Sequence, residues 1–159
     1  MDAEIRRAEP GDWEVLRDVR LAALADTPYA FMATLAQEQE YGEPRWRERI
    51  AKSAFFLAWD GARPVGIVGA FSKDGSGWHV MSMWVTPAAR GTGVAGRLID
   101  AVTGYARAQG AAALTLWVTE GNDRARAFYQ RQGFQATGSR QPVRPETPDD
   151  WEEEMLRSL

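Results

Sequence analysis

The densest apolar run in the chain lies between Trp78 and Val85, and it has apolar residues at both sets of alternate positions. Such a run is typical of a central strand that is covered on both faces of its sheet. Regular alternation would place two sets of side chains on opposite faces: Trp78, Val80 and Trp84 on one, and Met81, Met83 and Val85 on the other. We therefore expect this strand to lie in the interior of a sheet.

A helix is predicted shortly after this strand, because apolar residues recur at helical spacing at Val94, Leu98, Val102 and Tyr105. Gly110 favours the position just after a helix C-terminus, so the helix should end there. A further strand follows at 114–119. This strand–helix–strand unit should be parallel, with a right-handed crossover.

The remaining pattern predicts helices and strands on both sides of this unit. The expected elements are a strand at 4–7, a helix from Asp12 to about residue 25, a helix at 44–52, a hairpin of strands at 55–59 and 65–71, a helix at 124–131, a strand at 134–137 and a terminal strand at 151–159. Residues 138–150 read as a polar surface loop. The fold class is therefore α/β (α+β): one domain over residues 1–159, with about seven strands in a mixed, mostly antiparallel twisted sheet, a central parallel βαβ unit and about four helices.

Composition removes several classes of function from consideration. The chain has no cysteine, which excludes disulfides, thiolate metal sites and a cysteine nucleophile. A net charge of -3 argues against a nucleic-acid binder that relies on bulk positive charge. With His79 as the single histidine, no metal site is expected. No apolar run is long enough for a membrane and no signal peptide is evident, so a cytoplasmic location is expected.

A glycine-rich loop separates the central strand from its helix and indicates anion binding. It reads Arg90-Gly91-Thr92-Gly93-Val94-Ala95-Gly96. Glycines let a ligand approach the backbone, and the N–H groups of a helix's first turn have no intrahelical partners. The helix dipole and Arg90 add positive potential, so a diphosphate is the expected guest.

Two nucleotide-binding patterns compete for this loop. Residues 91–96 fit G-x-G-x-x-G, the dinucleotide fingerprint, and Glu120 ends the next strand, where a ribose-binding acid would lie. However, residues 86–90 separate the strand from the first glycine, and the chain lacks repeated βαβ units, so this interpretation ranks second. A Walker P-loop is excluded because Arg97 and Leu98 stand where Lys and Ser/Thr are required.

The same loop resembles the acyl-CoA binding motif of the GNAT superfamily of N-acetyltransferases, [QR]-x-x-G-x-[GA], through Arg90, Gly93 and Ala95. A second stretch is similar to the superfamily's N-x-x-A-x-x-F-Y-x-x-x-G-F signature, matched by Asn122, Ala125, Phe128, Tyr129, Gly133 and Phe134. The order and separation of the motifs agree with the superfamily, as does the order of elements. The resemblance therefore covers nearly the whole chain.

This resemblance implies transfer of an acetyl group from acetyl-CoA to a primary amine, with no metal. It implies coenzyme A contacts at Met83, Trp84, Val85, Arg90, Gly91, Thr92, Gly93, Val94, Ala95, Gly96, Asn122, Phe128 and Tyr129. Tyr129 becomes the general acid for the leaving thiolate, and a backbone N–H near Trp84 or Val85 would stabilise the thioester oxygen. Superfamily members often splay two parallel strands there, which exposes such groups. Without cysteine, direct attack in a ternary complex is the simplest route.

Each of these residues also has a purely structural interpretation. Gly93 would permit close helix–strand packing, Asn122 would be an ordinary N-cap, and Tyr129 would be a core aromatic with its hydroxyl at the surface. Asn122 and Tyr129 lie two helical turns apart and so share one helix face. That placement fits the structural and the functional interpretation equally.

The general base and the acceptor are less determined. Glu38, Glu40, Glu120, His79 or a water molecule are the candidates for the base, and no motif position selects one. The acceptor pocket is expected from residues 28–32, the second helix and the loop after Phe134. Three aromatic residues suggest an acceptor with an apolar portion: Tyr29, Phe31 and Trp46.

Charged residues late in the chain are expected to be solvated. Arg140 and Arg144 lie in the predicted loop, where they could alternatively meet an acidic acceptor, and the run from Glu152 to Glu154 should face solvent on one side. Expected partners are a small-molecule or peptide amine and a possible second copy of the chain, without nucleic acid or membrane. Two other functions stay open: a regulatory module that binds CoA without turnover, and a dinucleotide oxidoreductase.

Overall fold

The computed structural model describes residues 1–28, 31–72, 74–75 and 77–159. Tyr29, expected in the acceptor pocket, lies outside these ranges, as do Lys73 and Ser76 of the turn before the central strand. The described strands are β1 (Glu4–Arg7), β2 (Ala54–Asp60), β3 (Arg63–Ser72), β4 (Trp78–Val85), β5 (Ala113–Thr119), β6 (Gln135–Arg144) and β7 (Thr147–Ser158). The described helices are α1 (Trp13–Asp26), α2 (Leu35–Gln39), α3 (Glu43–Lys52), α4 (Val94–Ala108) and α5 (Asp123–Arg131).

The seven strands form one mixed sheet in the order β1-β2-β3-β4-β5-β7-β6. All neighbours are antiparallel except β4 and β5, which α4 connects. This confirms the expected mixed sheet and its parallel βαβ unit. The doubly wound parallel sheet on which the dinucleotide interpretation depends is absent from the described residues.

The sheet separates two hydrophobic cores. On one face α4 buries Leu98, Ile99 and Val102. On the other face α1 and α3 bury Leu16 and Trp46. Full burial of one such side chain stabilises the fold by roughly 1.5–3 kcal/mol, so both layers hold the central strands firmly. No described helix has the length and apolar character needed to cross a membrane.

A bulge in β4 overturns the simple alternation expected there. Ser82 has a φ of 58° and its pairing with β3 shifts register. The extra residue reverses the side-chain phase, so Met81 and Trp84 both pack in the α1–α3 core. The other four apolar side chains face the α4 core: Trp78, Val80, Met83 and Val85. The prediction that Trp84 shares a face with Trp78 was therefore wrong.

The parallel strands β4 and β5 pair only at their beginnings. Their paired residues are Trp78 with Leu114 and His79 with Thr115. Beyond these pairs β4 stays bonded to β3, and β5 stays bonded to β7. A wedge thus opens between the carboxyl ends of the two strands, and it positions the site described below.

Two parts of the fold differ from the expectation. Helix α2, which a capping box of Thr34 and Gln37 begins, lies between the first two predicted helices, where the sequence predicted no element. The predicted loop at 138–150 is instead the end of β6, a turn at Pro145 and Glu146, and the start of β7. Strand β6 is at the sheet edge and exposed over most of its length, so it shows no alternation, and an edge strand tolerates Pro142.

The beginning of α1 also differs in detail. Asp12 ends a short 3-10 helix, and its carboxylate accepts a hydrogen bond from the Glu9 N–H at 2.8 Å instead of capping α1. The end of α4 is as expected, because Gly110 has a φ of 82° just beyond it.

Candidate active site

A groove of about 330 Å³ lies at the wedge between β4 and β5, beside the N-terminus of α4. It is lined by residues predicted to contact coenzyme A: Met83, Trp84, Val85, Arg90, Gly91, Ala95, Asn122, Phe128 and Tyr129. Thr92, Gly93, Val94 and Gly96 belong to the adjoining loop and helix start but do not line the groove. The fold thus brings both sequence motifs together at one place.

The glycine loop adopts a conformation that suits anion binding. Gly91 and Gly93 have φ values of 75° and 89°, which side chains other than glycine rarely adopt. Gly93 is the N-cap of α4, and the first bond into the helix runs from the Arg97 N–H to the Gly93 carbonyl at 3.2 Å. The preceding N–H groups of the first turn have no intrahelical acceptor, and Val94, buried in the core, fixes their direction.

Arg90 is anchored to the protein itself. Its guanidinium pairs with the Asp26 carboxylate at the end of α1, and Asp26 also accepts a hydrogen bond from Trp84 Nε1 at 3.0 Å. Two hydrogen bonds lower the pKa of Asp26, and the one from Trp84 has a larger effect than the one from Arg90. This contact ties the glycine loop to α1 and β4, so the side chain of Arg90 has a structural role in this state.

Two other arginines line the groove, and the sequence analysis did not single them out. Arg124 and Arg131 lie on α5, and neither has an acidic partner among the residues that the structure describes. Their charges are available to a polyanionic ligand. The feature of the sequence that could have identified them is their position on α5, the helix that carries the Asn122-to-Tyr129 motif.

Tyr129 packs against two aromatic rings where α5 faces the groove. Asn122 caps α5 by accepting a hydrogen bond from the Ala125 N–H at 3.3 Å, as expected. The Tyr129 ring packs against Phe128 and Phe134, with centroid separations of 5.3 and 5.9 Å. Burial raises the pKa of Tyr129, so the hydroxyl is protonated at neutral pH. In the described part of the chain that hydroxyl has no hydrogen-bond partner, and it can donate its proton to a ligand.

A larger cavity, of about 710 Å³, adjoins β4 on the side of α1 and α2 and is called here the acceptor cavity. Residues 79–82 of β4 line it, and residues 83–85 line the groove, so consecutive residues of one strand contact both spaces. Phe31 lines the acceptor cavity as expected. Trp46 does not, because it is 1% exposed in the core; Tyr41, whose carbonyl accepts the Trp46 indole N–H, lines it instead.

A buried ion cluster forms one wall of the acceptor cavity. Glu38 accepts hydrogen bonds from Arg20 Nε and Nη2, both at 3.0 Å, and from Arg49 Nη1 at 2.8 Å. Arg20 also donates to Ser82 Oγ at 3.3 Å, which links the cluster to the bulge. Burial alone would raise the pKa of Glu38, but the bonds and charges of Arg20 and Arg49 outweigh it and lower the pKa.

The opposite wall carries Glu152, which belongs to the acidic run that was expected to face solvent on one side. Glu152 is 7% exposed, lines the acceptor cavity and accepts a hydrogen bond from Gln141 Nε2 at 2.7 Å on one oxygen. Burial raises its pKa, which the Gln141 bond offsets only in part. The rest of the acidic run is also engaged, since Glu153 pairs with Arg126, and Glu154 accepts from Thr137 Oγ1 at 2.9 Å. Successive side chains of β7 point to opposite faces of the sheet, and Glu152 points into the acceptor cavity. The polar sequence of this strand does not reveal which of its residues face the cavity.

The expected candidates for the general base occupy different environments. Glu38 is held by two arginines, and exposed Glu40 caps the end of α2 outside the acceptor cavity. Glu120 forms a salt bridge with Arg140, whose hydrogen bond lowers its pKa. His79 lines the acceptor cavity, where it contacts Thr115 Oγ1 and packs against Phe71.

The two arginines expected in solvent make specific contacts. Arg140 pairs with Glu120 and lies over the Trp151 ring, 4.7 Å from its centroid. Arg144 donates to the carbonyls of Met32, Phe31 and Pro28, at 2.7, 2.9 and 3.3 Å. The β6–β7 hairpin is thereby fastened to the segment after α1. Among the described residues no group of three or more His, Cys, Asp or Glu side chains is arranged to hold a metal ion.

The fold, together with the groove that the two sequence motifs form, is typical of one family of enzymes. The model of the acetyltransferase (GNAT) family matches residues 18–134, and the chain belongs to this family. The family assignment made from the sequence motifs is thereby confirmed.

Individual relatives are more distant. The uncharacterized N-acetyltransferase YafP of Escherichia coli (strain K12) is 25% identical over 134 residues, covering 83% of this chain and 81% of that protein. Ard1 from Thermoplasma volcanium superposes with a TM-score of 0.78 at 20% identity, over 100% of this chain and 99% of that one. The putative acetyltransferase yncA from Salmonella typhimurium, solved with its cofactor acetyl-CoA, has a TM-score of 0.75 at 16% identity, covering 100% and 95%.

Proposed function

We propose that this chain is an N-acetyltransferase, one acetyltransferase domain over residues 1–159, which transfers the acetyl group of acetyl-CoA to a primary amine. The observation that carries the proposal is the pair of adjoining spaces on β4. The groove beside the α4 N-terminus is suited to the cosubstrate, and the acceptor cavity next to it is suited to the amine. Direct attack in a ternary complex follows from this arrangement and from the absence of cysteine.

The diphosphate of coenzyme A would be bound by the N–H groups of the loop between Arg90 and Gly96. Glycine torsions leave these groups accessible, and the α4 dipole favours negative charge there. Arg124 and Arg131 would add charge at the groove. The pantetheine arm would enter the wedge, where the edge of β4 facing β5 has unpaired backbone groups beyond His79.

The chemical step needs three contributions from the chain. The amine, with a pKa of about 10 for a lysine-like group, must first lose a proton. Its nitrogen then attacks the thioester carbonyl, and a free N–H near Trp84 or Val85 would stabilise the charge on the oxygen. The carbon–sulfur bond breaks, and Tyr129 donates its hydroxyl proton to the departing thiolate.

Binding and turnover test this proposal separately. Acetyl-CoA at 100 times its dissociation constant should raise the unfolding free energy by about 2.7 kcal/mol, seen as a thermal shift. A panel of primary amines should then yield thiol release from acetyl-CoA above the rate of hydrolysis. Binding without turnover on any amine would support a CoA-sensing module instead, and stabilisation by NAD but not by acetyl-CoA would revive the dinucleotide interpretation.

Tyr129→Phe tests the proposed general acid. Removing the hydroxyl should lower kcat by roughly 10²-fold or more, a usual contribution of general acid–base catalysis, because the thiolate then leaves unprotonated. The dissociation constant for acetyl-CoA should change little, since the ring contacts with Phe128 and Phe134 remain. Stopped assays for thiol release and calorimetry measure the two quantities, and unchanged kcat would remove Tyr129 from this role.

A further inference from the structure

The acceptor cavity has walls of opposite electrostatic character. The α1–α3 wall contains Arg20, Glu38 and Arg49, two cations against one carboxylate, and so has a surplus positive charge. Arg45, on the same wall, lies over the Tyr41 ring, 4.7 Å from its centroid, and forms no salt bridge with any described residue. The surplus guanidinium charge, half-buried at Arg49 and exposed at Arg45, favours an anionic group on the ligand.

The facing wall, from the β6–β7 hairpin, presents the opposite charge. Gln141 occupies one oxygen of Glu152, and the other oxygen has no hydrogen-bond partner in the described part of the chain. Arg126, Arg140 and Arg144 are committed to Glu153, Glu120 and backbone carbonyls. A buried carboxylate without a cationic partner is costly, and a ligand ammonium group would satisfy it.

Between these walls the cavity is apolar and aromatic. Phe31, Phe71, Met81 and Trp117 line it together with the ring of Tyr41. The β4 residues that reach it, 79–82, immediately precede those lining the cosubstrate groove. Glu152 pairs with Thr119 at the end of β5, which bounds the wedge on its other side. An amine near Glu152 is therefore on the β5 side of the cavity, towards the thioester.

We infer that the acceptor is a small aminocarboxylate in which an apolar body separates the amine from the carboxylate, with its carboxylate on Arg49 and Arg45 and its amine on Glu152. This inference rests on the proposed acetyl transfer and specifies its substrate class. Glu152 acts as the general base for the ammonium group. It takes one proton before attack; the nitrogen–carbon bond forms as the carbon–sulfur bond breaks. The nitrogen loses a second proton, Tyr129 protonates the sulfur, and one proton is released to solvent overall.

Matched acceptors test the inference on the unaltered protein. ω-Amino acids of increasing length, from 4-aminobutanoate to 8-aminooctanoate, and 4-(aminomethyl)benzoate are each compared with their carboxamides and with the amines that lack the carboxyl group, such as benzylamine for 4-(aminomethyl)benzoate. At least one of these amino acids should exceed both of its counterparts without a carboxylate in kcat/KM by roughly 10-fold to 100-fold, the range of a charge-assisted hydrogen bond. Equal or better use of the amines without a carboxylate overturns the inference, as does acetyl-CoA binding with no amino acid acetylated.

Arg49→Met tests the proposed contact between Arg49 and the carboxylate of the acceptor. It removes the surplus cation and leaves the two-pronged contact of Arg20 with Glu38 intact, so the wall stays paired. The kcat/KM for the amino acid should fall by about 10-fold or more, while that for the corresponding amine without a carboxylate changes less than about threefold. The matched control is Arg47→Met on the same helix, which pairs with Glu43 away from the cavity and should alter neither value. Equal losses for both acceptors would overturn the assignment.

Glu152→Gln tests the proposed contact between Glu152 and the amine of the acceptor. Glutamine keeps the shape of the side chain and its contact with Gln141, but it cannot accept a proton. The expected result is a fall in kcat of roughly 10²-fold with every acceptor and an unchanged dissociation constant for acetyl-CoA. Unchanged kcat overturns the role of Glu152. The outcomes separate the two levels of proposal. If the unaltered protein neither binds acetyl-CoA nor releases thiol, acetyl transfer is refuted. If it acetylates only amines without a carboxylate, the substrate class alone is refuted.

Discussion

At the scale of single residues, two buried glutamates of the acceptor cavity show opposite electrostatics. Glu38 is enclosed by Arg20 and Arg49, and its pKa is lowered; Glu152 has one neutral donor, and its pKa is raised. The first arrangement stabilises the folded chain, and the second destabilises the charged carboxylate. Costly, unsatisfied groups of this kind concentrate at functional sites.

We predict that Glu38→Gln destabilises the protein by about 3 kcal/mol at neutral pH, because it leaves two buried guanidinium groups without a counter-charge. The folded-state pKa of Glu38 lies below its ordinary value of 4.5, so its contribution is present above that pH and is lost as the pH falls through the folded-state pKa. Urea unfolding of both proteins at pH 7 and at decreasing pH below 4.5 measures this. The stability difference should narrow towards acid.

The control for that experiment is Glu48→Gln. Glu48 pairs with Lys52 on the exposed face of α3, where solvent screens the charges. Its replacement should leave stability nearly unchanged at both pH values. A difference between Glu38 and its glutamine variant that persists undiminished in acid would mean that lost packing, not lost charge, causes the effect.

At the scale of elements, two of the three glycines of α4 and its cap, Gly93 and Gly104, should respond in opposite ways to alanine. A Cβ at Gly93 or at Gly104 would meet no atom within 4 Å, so neither replacement causes a clash. Gly93 has a φ of 89°, and alanine there costs about 1–3 kcal/mol. Gly104 lies exposed inside the helix, where alanine should add about 1 kcal/mol of stability.

The same pair tests the loop as the diphosphate site. Gly93→Ala should also weaken acetyl-CoA binding by about tenfold or more, because the strained cap redirects the N–H groups of the first turn. Gly104→Ala should leave that affinity unchanged while it raises the melting temperature. Calorimetric titration with acetyl-CoA checks both, and equal affinities in the two variants would contradict the placement of the diphosphate at this loop.

How far the sequence predicted these elements depends on how much of each element is apolar. The runs that form β4, α4 and β5 are apolar enough to reveal their periods, and the two motifs located the groove through residues such as Asn122 and Tyr129. Three features were not predicted, because their apolar and polar residues do not follow the regular spacing of a helix or a strand. Helix α2 buries a glutamate through ion pairs, β6 is an exposed edge strand, and the Ser82 bulge reverses the faces of β4.

The missed residues of the site share a physical cause as well. Glu152 is one of three consecutive glutamates, and only the pairing of β7 with β5 and β6 decides which of them points inward. Arg49 is one of several arginines on α3, and its contact with Glu38 joins elements that are adjacent in space. Such information is tertiary, so no local pattern contains it.

At the scale of the whole molecule, the cosubstrate groove and the acceptor cavity are closed by different parts of the fold. The groove is bounded by α5 and the start of α4, whereas the acceptor cavity is bounded by α1 to α3 and the β6–β7 hairpin. Arg144 links that hairpin to the segment after α1 by donating hydrogen bonds to the carbonyls of Phe31 and Met32. Loosening this contact should therefore affect one substrate and not the other.

We predict that Arg144→Gln raises the KM for the acceptor by about tenfold, because a shorter neutral side chain loses charge-assisted bonds that position Phe31 at the cavity. The dissociation constant for acetyl-CoA should stay within about twofold of its original value, since no residue of the groove changes contact. Steady-state kinetics with the acceptor varied and calorimetry with acetyl-CoA measure the two quantities. Amide exchange at Phe31 and Met32 should accelerate in the same variant.

Arg140→Gln is the matched control, because Arg140 lies on the same strand but pairs with exposed Glu120, in a contact of the kind that contributes little. It should leave both constants and the exchange rates unchanged. If Arg144→Gln weakens acetyl-CoA binding as much as it weakens acceptor binding, the two spaces are coupled through β4, which lines both. In that case the hairpin positions the strand itself, and closure of the acceptor cavity would govern the cosubstrate as well.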